Sequence, residues 1–271
     1  MTDLPAIEIY SIGTELLMGQ IQDTNSFWMS QQIARLGGHI RRIGILDDDV
    51  DDLVDTLQGA CERQTRIIIT SGGLGPTPDD LTVEAVARLL GVEVEVDESL
   101  IAVFMERRDI AKRQDVSPGL LKMATIPSGS RAYPNPAGVA PCIESQIGTT
   151  TIYNIPGPPR EVHALFGQSL EDPISQLYSG TRAVLRVAVN LPESVCGPLL
   201  HSVMQDYPNT YLKAFVALSE KTDDGQRLPV DIVARADDHQ AAEVLLNEAL
   251  SALKKLALEK GSEIESLSQD E

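Results

Sequence analysis

Between residues 6 and 90 the chain alternates short apolar runs with segments whose apolar residues recur every three or four positions. A run such as Ala6–Ile12 is short for a helix and suits a strand covered on both faces. Each intervening segment carries one apolar stripe. Met29, Ile33 and Leu36 form the first, Val50, Leu53, Val54, Leu57 and Cys61 the second, and Val83, Val86, Ala87 and Leu90 the third. Such stripes need a sheet to lie against. Strands over 6–12, 40–46 and 66–70, joined by these helices, predict βαβ units in a three-layer α/β/α fold with a mostly parallel sheet. Ligands of such sheets bind beyond the carboxyl ends of the strands, so loops 13–25, 70–80 and 154–161 are expected along one edge.

The third strand runs into TSGGLGPTPDD, residues 70–80. Gly72, Gly73 and Gly75 permit backbone conformations closed to other residues and let several N–H groups point into one concavity. A helix expected to start near Asp80 adds the positive end of its dipole. These features describe a phosphate cradle. Asp79 and Asp80 put negative charge where phosphate would sit, which makes sense with a hard divalent cation between them. A tight turn with Asp80 as a helix N-cap is the alternative reading. Glu15, in a Gly-Thr-Glu turn after the first strand, reads as a cap or a solvent-facing residue. Asn25 is expected to cap the next helix, and Asp47, Asp48 and Asp49 to form a solvated helix start. Glu161 follows the turn at Pro156-Gly157 and can cap a helix or bind metal. Lys122 and Arg131 are among the few cations of the Pro- and Gly-rich segment that follows the helix around 97–112.

A net charge of −18 disfavours nucleic acid and anionic membranes as partners. A small phosphorylated ligand still fits, because local amides, a helix N-terminus or a metal outweigh the global field. Three cysteines without C-x-x-C spacing and four histidines without metal-pair spacing point away from disulfide, zinc-thiolate and haem sites. The first residues lack a basic n-region, and no apolar run is long enough to span a bilayer, so a cytoplasmic protein is expected. Past Gly180 a β-α-β-β-α pattern predicts a small α+β domain. The expected division is therefore 1–178, 179–260 and an acidic, disordered tail over 261–271.

Five separated motifs occur in the order IGTELLMGQIQDTN, TSGGLGPTPDDLT, LKMATIP, PNPAGVAP and IPGPPREV. Over residues 5–170 they resemble the N-terminal domain of the competence/damage-inducible protein CinA family, a branch of the MogA/MoaB molybdopterin-binding fold. The resemblance implies a metal-dependent pyrophosphatase that converts ADP-ribose to AMP and ribose 5-phosphate, using Mg, Mn or Co, in a homodimer. By motif it implies Asp79, Asp80 and Lys122 as catalytic residues. Thr14, Asn25, Asp48, Gly72, Gly73, Gly75, Thr77, Asn135 and Gly157 would bind substrate, and Glu15, Asp79, Asp80 and Glu161 would bind metal. The alternative within the same fold is a protein that binds or adenylylates molybdopterin. The amidohydrolase domain of longer CinA proteins is expected to be absent. The chain departs from the family pattern at Asp47 and Cys142, where glycine is common, and at Leu120 and Met123, which replace a polar pair around Lys122.

Overall fold

All seven residues of the first strand, β1 (Ala6–Ile12), are buried in the computed structural model, which describes residues 4–178, 181–222 and 225–267. Ile7 and Ile9 pack with Met29 and Ile33 on one face, while Tyr10 packs with Leu57, Ile68 and Val86 on the other. This is the two-residue alternation of a strand held between two helical layers. The chain continues through a single turn α1 (Thr14–Leu17), α2 (Thr24–Arg35), β2 (His39–Leu46), α3 (Val50–Glu62), β3 (Ile67–Ser71) and α4 (Thr82–Leu90). Next come β4 (Val94–Val96), α5 (Glu98–Arg107), α6 (Pro118–Met123), β5 (Thr125–Pro127), β6 (Arg131–Tyr133), β7 (Cys142–Ile147) and β8 (Thr150–Ile155). Helices α7 (Pro159–Leu165) and α8 (Glu171–Leu177) follow, joined by a π-helical stretch over Phe166–Leu170.

The main sheet has the order β2-β1-β3-β8-β7-β6. Its first four strands are parallel, and β7 and β6 close it with antiparallel pairings. The chain leaves β1 for β2 on one side, and β3 lies on the other. That reversal opens a crevice at the carboxyl ends of β1 and β3, the place where such sheets bind ligands. Backbone bonds tie the crevice together: the Gly13 amide donates to the Leu46 carbonyl at 3.1 Å, and the Gly72 amide to Ile155 at 2.9 Å.

Three local expectations change. The cap of α2 is Asp23, whose carboxylate accepts from the Ser26 amide at 3.0 Å, which leaves Asn25 inside the first turn. Helix α4 starts at Thr82 with Leu81 as its uncharged N-cap, because Asp80 turns back toward Thr77 instead. The segment expected to be irregular carries α6, β5 and β6. Ser117 caps α6 with Pro118 at the first helical position, and Leu120 and Ala124 pack with Leu100, Ile101 and Phe104 in a small core of their own.

Residues Leu4–Tyr178 form one compact unit, and the residues described from 181 onward form a second. The second unit contains β9 (Thr181–Val189), α9 (Glu193–Asp206), β10 (Thr210–Ala214), β11 (Glu220–Thr222), β12 (Gly225–Ala236), α10 (His239–Glu259) and β13 (Ile264–Ser266). Its antiparallel sheet has the order β10-β12-β9-β13 and buries Val187, Val230 and Ile232 against Leu200 and Leu253 of its helices. The strand expected over 211–218 ends at Ala214 and gives way to a 3₁₀ turn. The acidic end, expected to be disordered, carries structure over its described residues. β13 pairs with β9, and Leu267 is buried, because an apolar Ile264 and Leu267 interrupt the charges. The last expected tail residues, 268–271, lie outside the described residues. Among the described residues, no helix is long and apolar enough to cross a membrane.

Candidate functional site

The carboxyl ends of β1, β3 and β8 surround a recess of about 510 Å³. Glu15, Asp48, Gly72, Gly73, Gly75, Asp79, Asp80, Gly157 and Glu161 all line it, with Gly13, Pro76, Met123 and Gly138. Thr14, Asn25, Thr77, Lys122 and Asn135 do not. Each of those five instead holds a wall in place.

The glycine loop is shaped by sterics. Gly72 and Gly73 have φ of 118° and 65°, and a Cβ on them would strike the Ile12 carbonyl and the Thr82 hydroxyl respectively. The start of α4 grips the loop, the Thr82 hydroxyl donating to the Gly72 carbonyl at 2.9 Å and its amide to Gly73 at 3.2 Å. Among the described residues, the amides of Gly73, Leu74 and Gly75 donate to no protein acceptor, although Leu74 is only 5% exposed. Three unpaired amides in succession are the kind of donor set that receives an anion.

Asp80 Oδ2 accepts from the Thr77 amide and hydroxyl, both at 2.7 Å. A Cβ on Gly75 would sit 2.6 Å from that carboxylate, so the third glycine makes room for Asp80. The Thr77 hydroxyl, the Asp79 amide and the Lys122 charge hold the exposed Asp79 carboxyl below its ordinary range. Lys122 Nζ donates to the Thr77 carbonyl, on the backbone of the loop.

Asp48 Oδ2 accepts from the Thr14 amide at 2.9 Å and its hydroxyl at 3.1 Å, and the same hydroxyl donates to Asp47. Asn25 Nδ2 bridges the Ser71 hydroxyl, at 3.1 Å, and the Gly157 carbonyl, at 2.7 Å, joining α2 to the ends of β3 and β8. Its Oδ1 is buried and accepts from no protein donor. Asn135, fully buried, donates to Glu161 Oε2 at 2.6 Å and to the Ala140 carbonyl at 2.9 Å. Burial pushes the Glu161 carboxyl above its ordinary range, and the Asn135 hydrogen bond only partly opposes that. Gly138 lies against the same carboxylate, where a Cβ would collide. Arg107 donates to the Asn135 carbonyl at 2.6 Å and the Gly138 carbonyl at 3.3 Å, clamping this loop. Sequence reasoning missed Arg107 and Gly138, and only Gly138, inside the PNPAGVAP motif, carried a signal.

Five carboxylates therefore line a recess that no Lys, Arg or His lines among the described residues. No three His, Cys, Asp or Glu side chains there gather closely enough to cage an ion. The expected ligands Glu15, Asp79, Asp80 and Glu161 share the recess without converging. That donor set suits a hard cation bound by one or two carboxylates, with phosphate oxygens and water completing its shell. The departures at 120 and 142 are packing choices, since Leu120 and Cys142 are both core residues, whereas Met123 lines the recess.

A glycine cradle at the switch point of a doubly wound sheet is the class of site this unit presents. Residues 8–176 match the family described as "Probable molybdopterin binding domain", and the chain belongs to that family. Its relatives place it among CinA-like proteins. It is 33% identical over 254 residues to a CinA-like protein of Prochlorococcus marinus, a match covering 92% of this chain and 58% of that one. A protein of Pyrobaculum arsenaticum is 34% identical over 252 residues, 92% of this chain and 93% of its own. The crystal structure of the protein CinA from Thermoplasma acidophilum, described as of unknown function, matches with a TM-score of 0.58 and 32% identity. That match covers 63% of this chain and 98% of the other.

Proposed function

We propose that the chain hydrolyses the diphosphate of ADP-ribose, or of a related nucleotide, ADP-ribose giving AMP and ribose 5-phosphate. One observation carries this reading: the partnerless amides of Gly73, Leu74 and Gly75 share a recess with five carboxylates and no basic side chain. The amides suit phosphate oxygens, while the carboxylates would repel a bare diphosphate. Asp79 and Asp80 would hold a divalent cation, Mg, Mn or Co, that accompanies the anion. Such an ion, when bound, would neutralise phosphate charge and polarise a phosphoryl oxygen. The amides of 73–75 donate to the oxygens on which charge grows. Glu161, oriented by Asn135, accepts a proton from the attacking water as its oxygen joins one phosphorus. The anhydride P–O bond breaks, and the other phosphate leaves with its bonding electrons.

The family description favours a second reading, in which the same amides hold the phosphate of a pterin without hydrolysis. Product analysis with ADP-ribose and a panel of divalent metals separates the two. Hydrolysis gives AMP and ribose 5-phosphate in equal amounts and stops in EDTA. AMP formation that survives EDTA rejects the cation. No AMP with any metal, together with tight binding of a pterin phosphate, selects the second reading.

A further inference from the structure

Helices α5 and α6 share a small core, in which Leu100, Ile101 and Phe104 pack with Leu120 and Ala124. One cation leaves that core toward each wall of the recess. Lys122, on α6, donates to the Thr77 carbonyl, in the loop that carries Asp80. Arg107, the last residue of α5, donates to the carbonyls of Asn135 at 2.6 Å and Gly138 at 3.3 Å. Both cations take backbone carbonyls, in a chain that offers 40 Asp and Glu to 22 Lys and Arg. A bond from a charged donor is about twice as strong as a neutral one, so each fixes its loop. The loop under Arg107 meets Glu161 twice. Its Asn135 side chain donates to Glu161 Oε2 at 2.6 Å, and a Cβ on Gly138 would strike the same carboxylate. We propose that Arg107 is the positioning residue of Glu161, acting through Asn135 and Gly138 as Lys122 acts on Asp80 through Thr77. The proposal rests on the hydrolytic reading of the recess and adds what holds its base in place. Gln168 also donates to the neighbouring Pro134 carbonyl, at 3.1 Å, as a neutral donor. Loss of Arg107 therefore loosens this loop without detaching it, and the Asn135 amide no longer keeps to one carboxylate oxygen.

The test is side-chain amide NMR of the full chain, read during a pH titration. In the unaltered protein the Asn135 amide signal should move as Glu161 titrates, and it should stay flat in Glu161→Gln. Arg107→Ala should suppress that movement and make the Asn135 amide protons exchange about tenfold faster, the effect of losing one hydrogen bond. Added guanidinium should restore both, because the ion alone can bridge the two carbonyls. Arg107→Lys, which keeps one charged donor, should fall between the two and serves where Arg107→Ala does not fold. Lys122→Ala should leave the Asn135 signal unchanged. An Asn135 signal that follows Glu161 equally well without Arg107, or that ignores Glu161 in the unaltered protein, overturns the assignment. So does an equal loss in Lys122→Ala, which would make Arg107 a general support of the fold. Turnover of ADP-ribose is followed separately. The stated signals without turnover reject the hydrolase and keep the positioning role, and turnover with a signal indifferent to Arg107 does the reverse.

Discussion

Glu8 and Glu161 are carboxylates of the same α/β unit, one near the amino end of β1 and the other just past the carboxyl end of β8. Glu8 is completely buried, and every direction around it is filled. Its Oε1 accepts from Arg63 Nε at 3.1 Å and Thr65 Oγ1 at 2.8 Å, and its Oε2 from Arg63 Nη2 at 2.7 Å and the Tyr10 hydroxyl at 2.5 Å. Burial alone would push this carboxyl up, but the bonds from Arg63, Tyr10 and Thr65 outweigh it and bring it down to about 2. Glu161 has one neutral donor, Asn135, and its carboxyl moves the other way. A buried negative charge is thus compensated where the sheet is only being held together. At the carboxyl edge of the sheet no cationic side chain pairs with Glu161 among the described residues, and only the Asn135 amide is bonded to it.

Removing the compensated charge should have the largest effect. Glu8→Gln leaves the Arg63 guanidinium facing an amide, and the side chain of Arg63 is only 30% exposed. Loss of one partner of a buried pair costs about 3 kcal/mol, read by urea unfolding. Turnover per folded molecule should stay unchanged. A large loss of activity without a loss of stability would break the contrast. The same carboxyl sets the acid limit. Its folded value near 2 lies below its ordinary 4.5, so its stabilisation is complete above about pH 4.5 and is lost as pH falls toward 2. A shift of that size corresponds to about 3 kcal/mol. Stability measured between pH 6 and pH 2.5 should therefore fall more steeply in the unaltered protein than in Glu8→Gln.

Asp80→Asn probes the other region. An amide oxygen can still accept from the Thr77 amide and hydroxyl, so the loop stays closed and the melting temperature holds. What disappears is the charge that the proposed cation would need. Turnover of ADP-ribose should fall about a hundredfold, close to 2.7 kcal/mol. Unchanged turnover would remove Asp80 from the cation. Set beside Glu8→Gln, this gives a crossed pattern of stability lost without activity and activity lost without stability.

The two regions were unequally legible in the sequence. The apolar run of β1, the helical stripes and the glycine loop are local signals, and they placed the strands, the layers and the edge where loops gather. Glu8 was hidden inside that run, since its partners Arg63 and Thr65 come from the far end of α3 and the approach to β3. A charge inside a strand buried on both faces was the clue that a cation must lie nearby. Asn25 looked like a cap because Asn and Asp cap almost equally well, and only the structure gives that role to Asp23. The links from Arg107 to Asn135 and from Asn135 to Glu161 join residues 28 and 26 positions apart. No local pattern encodes contacts of that range.

The smallest effect belongs to Lys122, and it tests whether the ligand edge truly lacks cationic side chains. A lysine on a phosphate would be an exception to the contrast with Glu8. Its Nζ donates to the carbonyl of Thr77, the residue whose amide and hydroxyl fix Asp80. Lys122 then acts on the carboxylate through the loop backbone, as a positioning residue. Losing one such hydrogen bond in Lys122→Ala should lower kcat/KM by about tenfold, near 1.4 kcal/mol. Lys122→Gln keeps a donor and drops the charge, so it should recover part of that loss. A direct phosphate contact predicts otherwise. Both variants would then weaken pyrophosphate binding alike, and the deficit would shrink as salt screens the lost charge. Titrating pyrophosphate into the two variants at low and high salt decides between a cation on the ligand and a cation on the loop.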